Sequence, residues 1–320
     1  MSLPEDYLKY PHRHYGMDHD RYDWSILPRR PAVQWPNGAP VAIWVVVGCQ
    51  SFPLNPSSKP VRLPGGMVMP YPDLRHFTLR DYGNRVGIFR VLRALDRLGL
   101  KASFAVNARL CERTPALLRT LVGRGDEIMG HGWDMDHPHH AELPEADERA
   151  LVQRSIATLR EAGAGAPRGW LSPGRSESSN TPELLAEAGI DYFADWVNDD
   201  MPYAFRTARG PLTAMPLTHD LDDRQSLVEF CHTEEDFAQQ IVDQYRALRR
   251  EAERTGSGRI LAVNLHAWVI GQPHRIGGLE SALGTIVGEG GLWSATGAQI
   301  ADAWRAQAGA AVGAGAGEGA

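Results

Sequence analysis

The chain has 320 residues, 43% of them hydrophobic, with a formal net charge of −6 and a pI near 6.1. That length can bury a substantial core, and the mild acidity gives no reason to expect nucleic acid or an anionic membrane surface as partner. Cys49, Cys111 and Cys231 are too few and too scattered for a disulfide framework or a cysteine zinc site. The opening MSLPEDYLKYPHRHYG lacks the basic and apolar regions of an export signal, and no apolar run is long enough to span a bilayer. The expectation is a cytoplasmic globular protein.

Residues 1–40, rich in Pro, Tyr, Arg and His without a period, read as an irregular N-terminal arm lying on the domain or on a neighbouring subunit. From Pro40 a β/α rhythm begins. VAIWVVV (41–47) is a continuous apolar run, as expected of a buried parallel strand. A Pro/Gly loop (51–84) leads to a helix over 86–99 that ends on Gly99. ASFAV (102–106) is the second strand, and Thr114-Pro115 opens the next helix.

EIMG (127–130) is a strand, and Pro144-Glu145 starts a helix with acids in its first turns. RGWLS (168–172) precedes the helix TPELLAEAG, and DYFADW (191–196) and LTAMPL (212–217) are strand candidates. A long amphipathic helix follows, with Thr233 and Asp236 as a capping box. RILAVNL (259–265) is the last strong strand; helix 275–288, a weak strand near LWSA and helix 296–306 complete the domain. Seven or eight β/α units without a composition break predict one α/β domain over 41–306, a barrel. Residues 307–320 read as a disordered Ala/Gly tail.

In such barrels the chemistry sits where strands end. The strand ends here carry Gln50, Asn107, His131 with Trp133 and Asp134, Arg175 with Glu177, Asp195 with Trp196, His219 with Asp220 and Asp222, and finally His266 with Trp268. His274 and Arg275 lie slightly beyond. Interiors that are apolar and ends that hold His, Asp, Arg and Trp are what a hydrolytic pocket needs. The convergence of His131, Arg175, Asp195 and His266 from four units carries more weight than any one of them.

Three stretches resemble a known family. EIMGHGWDMDHP, GWLSPGR and LAVNLHAWVIGQPHR are similar to motifs of the polysaccharide deacetylase superfamily, and most of all to its intracellular branch of allantoinases and cyclic imide hydrolases. The similarity covers roughly residues 35–305. It implies a distorted (β/α) barrel and a hydrolase of non-peptide carbon–nitrogen bonds in a small amide, cyclic imide, hydantoin-like ring or ureide. It also implies His131 and His266 as catalytic acid and base, with Asp195 to orient them or Arg175. Gln50, Arg175, Trp133, Trp196, Trp268 and His274 would bind the substrate, and the family's assembly habit implies a homo-oligomer.

The departures concern the metal. Metal-dependent members carry an aspartate pair after the first strand, where this chain has Gly48-Cys49-Gln50. The histidine expected four residues after His131 is Met135. A metal-free site is therefore expected, a divalent ion such as zinc being placed, if present, by His131, His137 and Asp134. His139 and His140 are expected to face water. Two alternatives remain open: a metal-dependent deacetylase of an N-acetylated sugar or small N-acyl substrate, and a non-catalytic small-ligand-binding pseudoenzyme.

Overall fold

Val41–Cys49 forms β1, and all nine of its residues are buried. A run this apolar is stable only when both faces of the strand are covered, and β1 lies inside the sheet, paired on either side. This computed structural model describes residues 19–56 and 72–315. After β1 the order is α1 (Leu74–Tyr82), α2 (Ile88–Leu98), β2 (Ser103–Val106), α3 (Arg109–Arg113), α4 (Pro115–Gly123) and β3 (Glu127–Gly130). Then come α5 (Glu145–Leu159), β4 (Gly169–Trp170), α6 (Thr181–Glu187), β5 (Tyr192–Phe193), β6 (Tyr203–Phe205) and β7 (Leu212–Ala214). The chain continues through α7 (Glu234–Thr255), β8 (Arg259–His266), α8 (Ile276–Glu289), β9 (Leu292–Ser294) and α9 (Gly297–Gly315).

The sheet runs β6-β7-β5-β4-β3-β2-β1-β8, with β9 beside the first residues of β1. All pairs are parallel except β6 with β7. This is the expected distorted (β/α) barrel. Its seam lies between β7 and β8, where no ladder among the described residues closes the ring. The segment after β7 crosses the seam: the Asn264 N–H donates to the Leu221 carbonyl (2.9 Å), and an isolated parallel bridge joins Asp222 to Asn264.

Period-two alternation sorts the strand residues. On β1, Val41, Ile43, Val45 and Val47 pack against the helices with Ile88, Leu95, Phe237, Ile241 and Leu283. Ala42, Trp44 and Val46 face the barrel interior with Ala105, Met129, Tyr192 and Ala262. The same alternation carried to the carboxyl ends puts Gln50, His131 and His266 on the interior face. Apolar filling below and polar groups above thus follow from strand register alone.

Several element ends differ from the sequence expectations. The region read as loop 51–84 contains α1, whose N-cap Asp73 accepts from the N–H groups of Arg75 and His76. A five-residue π-helical turn, Gly83–Gly87, joins α1 to α2. It lies so close to the chain after β8 that a Cβ on Gly87 would be 2.0 Å from the Ala267 carbonyl oxygen. At α4 the Thr114 hydroxyl does not cap; it donates to the Leu110 carbonyl of the preceding helix (3.1 Å). The capping box at Thr233 and Asp236 is present. β6 has no alternating apolar signal in YAF and is formed by its pairing with β7. α9 runs past residue 306, the expected limit of the domain, to Gly315; alanine is the best helix former.

The part of the arm from residue 19 is tied down. The Arg21 guanidinium, buried, pairs with Glu183 and donates to the carbonyls of Ser179 (3.0 Å) and Arg206 (3.1 Å). Buried Trp35 donates from Nε1 to the Arg259 carbonyl (2.8 Å). Among the described residues, no helix is long and apolar enough to cross a membrane.

Two glycines give opposite expectations. Gly87→Ala forces a methyl onto the Ala267 carbonyl and is expected to cost more than about 2 kcal/mol in urea unfolding. Gly284, inside α8 with nothing near its Cβ direction, is expected to gain roughly 0.5–1 kcal/mol as Gly284→Ala. Equal effects at the two sites would contradict the packing described.

Candidate active site

The carboxyl ends of β1, β3 and β8 open into a pocket of about 250 Å³. Gln50, His131, Arg175, Asp222, His266 and Trp268 line it, with Phe52, Met135 and Pro173 among the apolar walls.

His131 is buried immediately after β3. Its Nδ1–H donates to the Leu171 carbonyl (2.6 Å), and because a carbonyl only accepts, this contact fixes the tautomer. Nε2 is left with a lone pair, 3.5 Å from the Gln50 amide nitrogen. Burial, with the nearby charges of His266 and Arg175, drives the His131 pKa down to about 4. At neutral pH it is a neutral base. The chain escapes this position through Gly132, whose φ of +64° lies in the left-handed region and whose Cβ position Pro173 occupies, at 2.5 Å. That is the physical content of the HGW triplet.

His266 is the opposite case. Its Nδ1 lies 2.7 Å from Asp223 Oδ1 and 3.6 Å from Asp222 Oδ1. Burial acts to lower its pKa, but the charges of Asp222 and Asp223 and the Asp223 hydrogen bond outweigh it and raise the value. Burial pushes Asp223 itself upward against the pull of the imidazole. Its oxygens nevertheless accept from the His266 N–H (2.9 Å) and the Ile270 N–H (3.1 Å). Those bonds favour the carboxylate form, with the proton between the partners on the imidazole.

Asp222 is held low against burial by His266 and Arg175. Arg175 follows Gly174 in a turn where both have left-handed φ, +66° and +55°. Its guanidinium donates to the carbonyls of Leu217 (2.6 Å) and Thr218 (3.3 Å) and to Asp222 Oδ2 (3.2 Å). Asp222 Oδ2 also accepts from Asn264 Nδ2 (2.6 Å). Asp195 was expected to orient Arg175 or the histidines; the structure gives Arg175 Asp222 instead, because the 172–177 turn points its crest at the barrel seam.

The remaining expected site residues disperse. Asp195 lies behind the pocket, accepting from the Ser172 N–H (2.7 Å), and is absent from the lining. Trp133 is in the core beneath the Arg154 guanidinium, 3.5 Å from its ring centroid. Trp196 packs edge-on against Tyr22, His19 and Phe205. His274 is exposed in a separate depression beyond Trp268. His139, expected in water, is buried with Nδ1 3.1 Å from Glu148 Oε1; its loop folds back under Trp170.

Asp223 went unread, although the Asp222-Asp223 doublet after an apolar strand is a signal for paired carboxylates. Arg80, buried over the rings of Phe52 (4.6 Å) and Trp268 (5.3 Å), lies in a region read as loop. It carries no motif signal.

The metal set suggested by spacing does not assemble. Asp134 accepts from Arg109 (2.7 Å) and His137 (2.6 Å), and neither Asp134 nor His137 lines the pocket. Cys49 is buried, and desolvation pushes its thiol up to about 12, far from a thiolate ligand. One His/Asp cluster among the described residues has metal-like spacing, Asp222, Asp223 and His266. Its oxygens already accept from Arg175, Asn264 and the N–H groups of Arg224, Gln225, His266 and Ile270. A cation there would displace the Nδ1 proton and sit against a guanidinium, so this donor set does not fit one.

Two imidazoles whose pKa values are shifted in opposite directions thus share one small pocket at the mouth of a (β/α) barrel, and the comparisons with known proteins mark the chain as a hydrolase acting on carbon–nitrogen bonds. Residues 79–193 match the polysaccharide deacetylase family. A Schizosaccharomyces pombe protein named "Putative polysaccharide deacetylase" is 26% identical over 304 residues, 85% of this chain and 92% of its own. The solved structure of a "probable Polysaccharide deacetylase" from Pseudomonas aeruginosa is 26% identical, covers 86% of this chain and 94% of its own, and superposes with a TM-score of 0.78. The structure of Puue allantoinase, 24% identical over 93% of this chain and 98% of its own, has the same TM-score of 0.78 and shares the fold. Residues 79–193 thus carry a polysaccharide deacetylase domain, and the chain over most of its length is similar to proteins bearing that family's name.

The buried histidine makes stability pH-dependent. Unfolded, His131 takes up a proton near its ordinary 6.5; folded, only near about 4. Acidification through that window therefore favours unfolding, and its contribution is fully present above 6.5. His131→Asn is expected to remove this part of the pH dependence of the melting temperature. An unchanged pH profile would place the proton elsewhere.

Proposed function

We propose that the protein hydrolyses the C–N bond of a small cyclic imide, hydantoin-like ring or ureide, without a metal. The observation that carries this reading is the pair of imidazoles pushed in opposite directions, His131 down and His266 up, on one pocket. Environments that split two titratable groups in this way assign a base and an acid. The His131 Nε2 lone pair accepts a proton from water as the water oxygen bonds to the carbonyl carbon. His266, protonated and steadied by Asp223, gives its proton to the nitrogen as the C–N bond breaks. Gln50, whose Oε1 accepts from Trp268 Nε1 (3.2 Å), presents its amide N–H groups beside His131 to the water or carbonyl.

The substrate size follows from the cavity. About 250 Å³ is small for a ligand site and admits a single ring rather than a polysaccharide strand. Gln50 and Met135 stand where metal-dependent relatives would need ligands, which supports proton transfer alone as the means of activating water. The shared fold with an allantoinase is consistent with a ureide-type ring. The family match favours a second reading, a small N-acyl substrate, and the same acid–base pair serves it.

A panel of allantoin, succinimide, hydantoins and short N-acyl compounds, each with and without chelator, tests the proposal. Turnover of a ring substrate is expected, insensitive to chelator and reduced at least about 100-fold by His266→Ala. Turnover abolished by chelator and restored by added metal would overturn the metal-free reading. Binding without turnover across the panel would make the protein a ligand-binding relative instead.

A further inference from the structure

Behind the pocket wall, two carboxyl groups meet without a donor between them. Asp195 Oδ1 accepts from the Ser172 N–H (2.7 Å) and Glu177 Oε2 from Trp196 Nε1 (2.7 Å). The other oxygen of each, Asp195 Oδ2 and Glu177 Oε1, is buried with no hydrogen-bond donor among the described residues. The two side chains lie within hydrogen-bond reach of each other. Two carboxylates in contact and shielded from water repel strongly, whereas one shared proton satisfies both orphan oxygens.

The pair sits at both ends of one turn. Ser172 starts the segment and Glu177 ends it; between them stand Gly174 and Arg175, both with left-handed φ. A non-glycine residue in that region is uncommon and persists only where its surroundings hold it. Asp195 holds the Ser172 end through its N–H and the Glu177 end through the second carboxyl. Ser176, between them, donates from Oγ to the His139 carbonyl (2.5 Å). Arg175, at the crest, is thereby aimed across the seam at Leu217, Thr218 and Asp222.

We propose that Glu177 and Asp195 form a one-proton carboxyl pair that closes the Ser172–Glu177 turn and so positions Arg175 at the pocket rim. Both are positioning residues; neither touches the cavity. The assignment rests on the reading of that cavity as the active site, but its tests use no substrate. The charged and titratable groups that bear on the pair are the His139–Glu148 ion pair, Arg175 and Tyr203.

Burial, and then the charge of Asp195, raises Glu177 well above its ordinary value. A carboxyl raised on folding adds stability that is fully present below its unfolded value and is lost as pH rises through the folded one. Glu177→Gln supplies a donor that cannot ionise, so it escapes this loss. The difference in melting temperature, Glu177→Gln minus wild type, is expected to grow by several degrees as pH rises from the ordinary glutamate range toward 8. A difference independent of pH would overturn the shared proton.

A double-mutant cycle in urea reads the route through Arg175. Glu177→Ala in an Arg175→Gln background is expected to destabilise less than in the wild type. Strict additivity would overturn the positioning role. Should Glu177→Ala fail to fold, the pH-dependent Glu177→Gln comparison decides alone. A substrate panel without turnover would leave both of these results standing and would remove only the functional context.

Discussion

The contact between Arg175 and Asp222 is the one on which the site depends. Among the described residues no ladder closes the barrel between β7 and β8; the seam is crossed by an isolated bridge, Asp222 with Asn264, and by the Arg175 guanidinium reaching two carbonyls and a carboxylate. A buried charge pair is expensive to assemble and far more expensive to break on one side. Here the cost is offset by further bonds, since Asp222 also accepts from Asn264 and from the N–H groups of Arg224 and Gln225. The next residue, Asp223, is fixed by the same segment, and on it depends the protonation of His266. Seam and acid are therefore one construction.

The barrel and its order of elements were legible because they rest on local rules. VAIWVVV and RILAVNL can hardly be anything but buried strands, and the carboxyl-end positions of Gln50, His131, Arg175 and His266 follow from their register. What was not legible is long-range. Nothing in the sequence tells that Asp195 lies away from the pocket histidines while Asp223, 43 residues before His266, backs the His266 ring. The tryptophans at the strand ends were all expected to bind the substrate. Trp268 lines the pocket; Trp133 and Trp196 are committed to Arg154 and to the arm.

The histidine-rich loop 131–140 shows how residue type and residue role separate. His131 is held by a carbonyl and lines the pocket. His137 bonds to Asp134 at the surface, and His139 pairs with Glu148 in the interior. Four histidines in so short a stretch suggest a common ion. The backbone sends them in different directions, because Gly132 turns the chain immediately after the first.

The proposed chemistry needs two imidazoles on one pocket in opposite protonation states at neutral pH, as the opposite directions of their pKa shifts favour. Nitrogen-15 spectra of the histidine side chains, assigned by His131→Asn and His266→Gln, measure this directly. At pH 7 the account predicts a neutral His131 protonated on Nδ1 alone and a His266 protonated on both nitrogens. Two neutral imidazoles, or a charged His131, would contradict it.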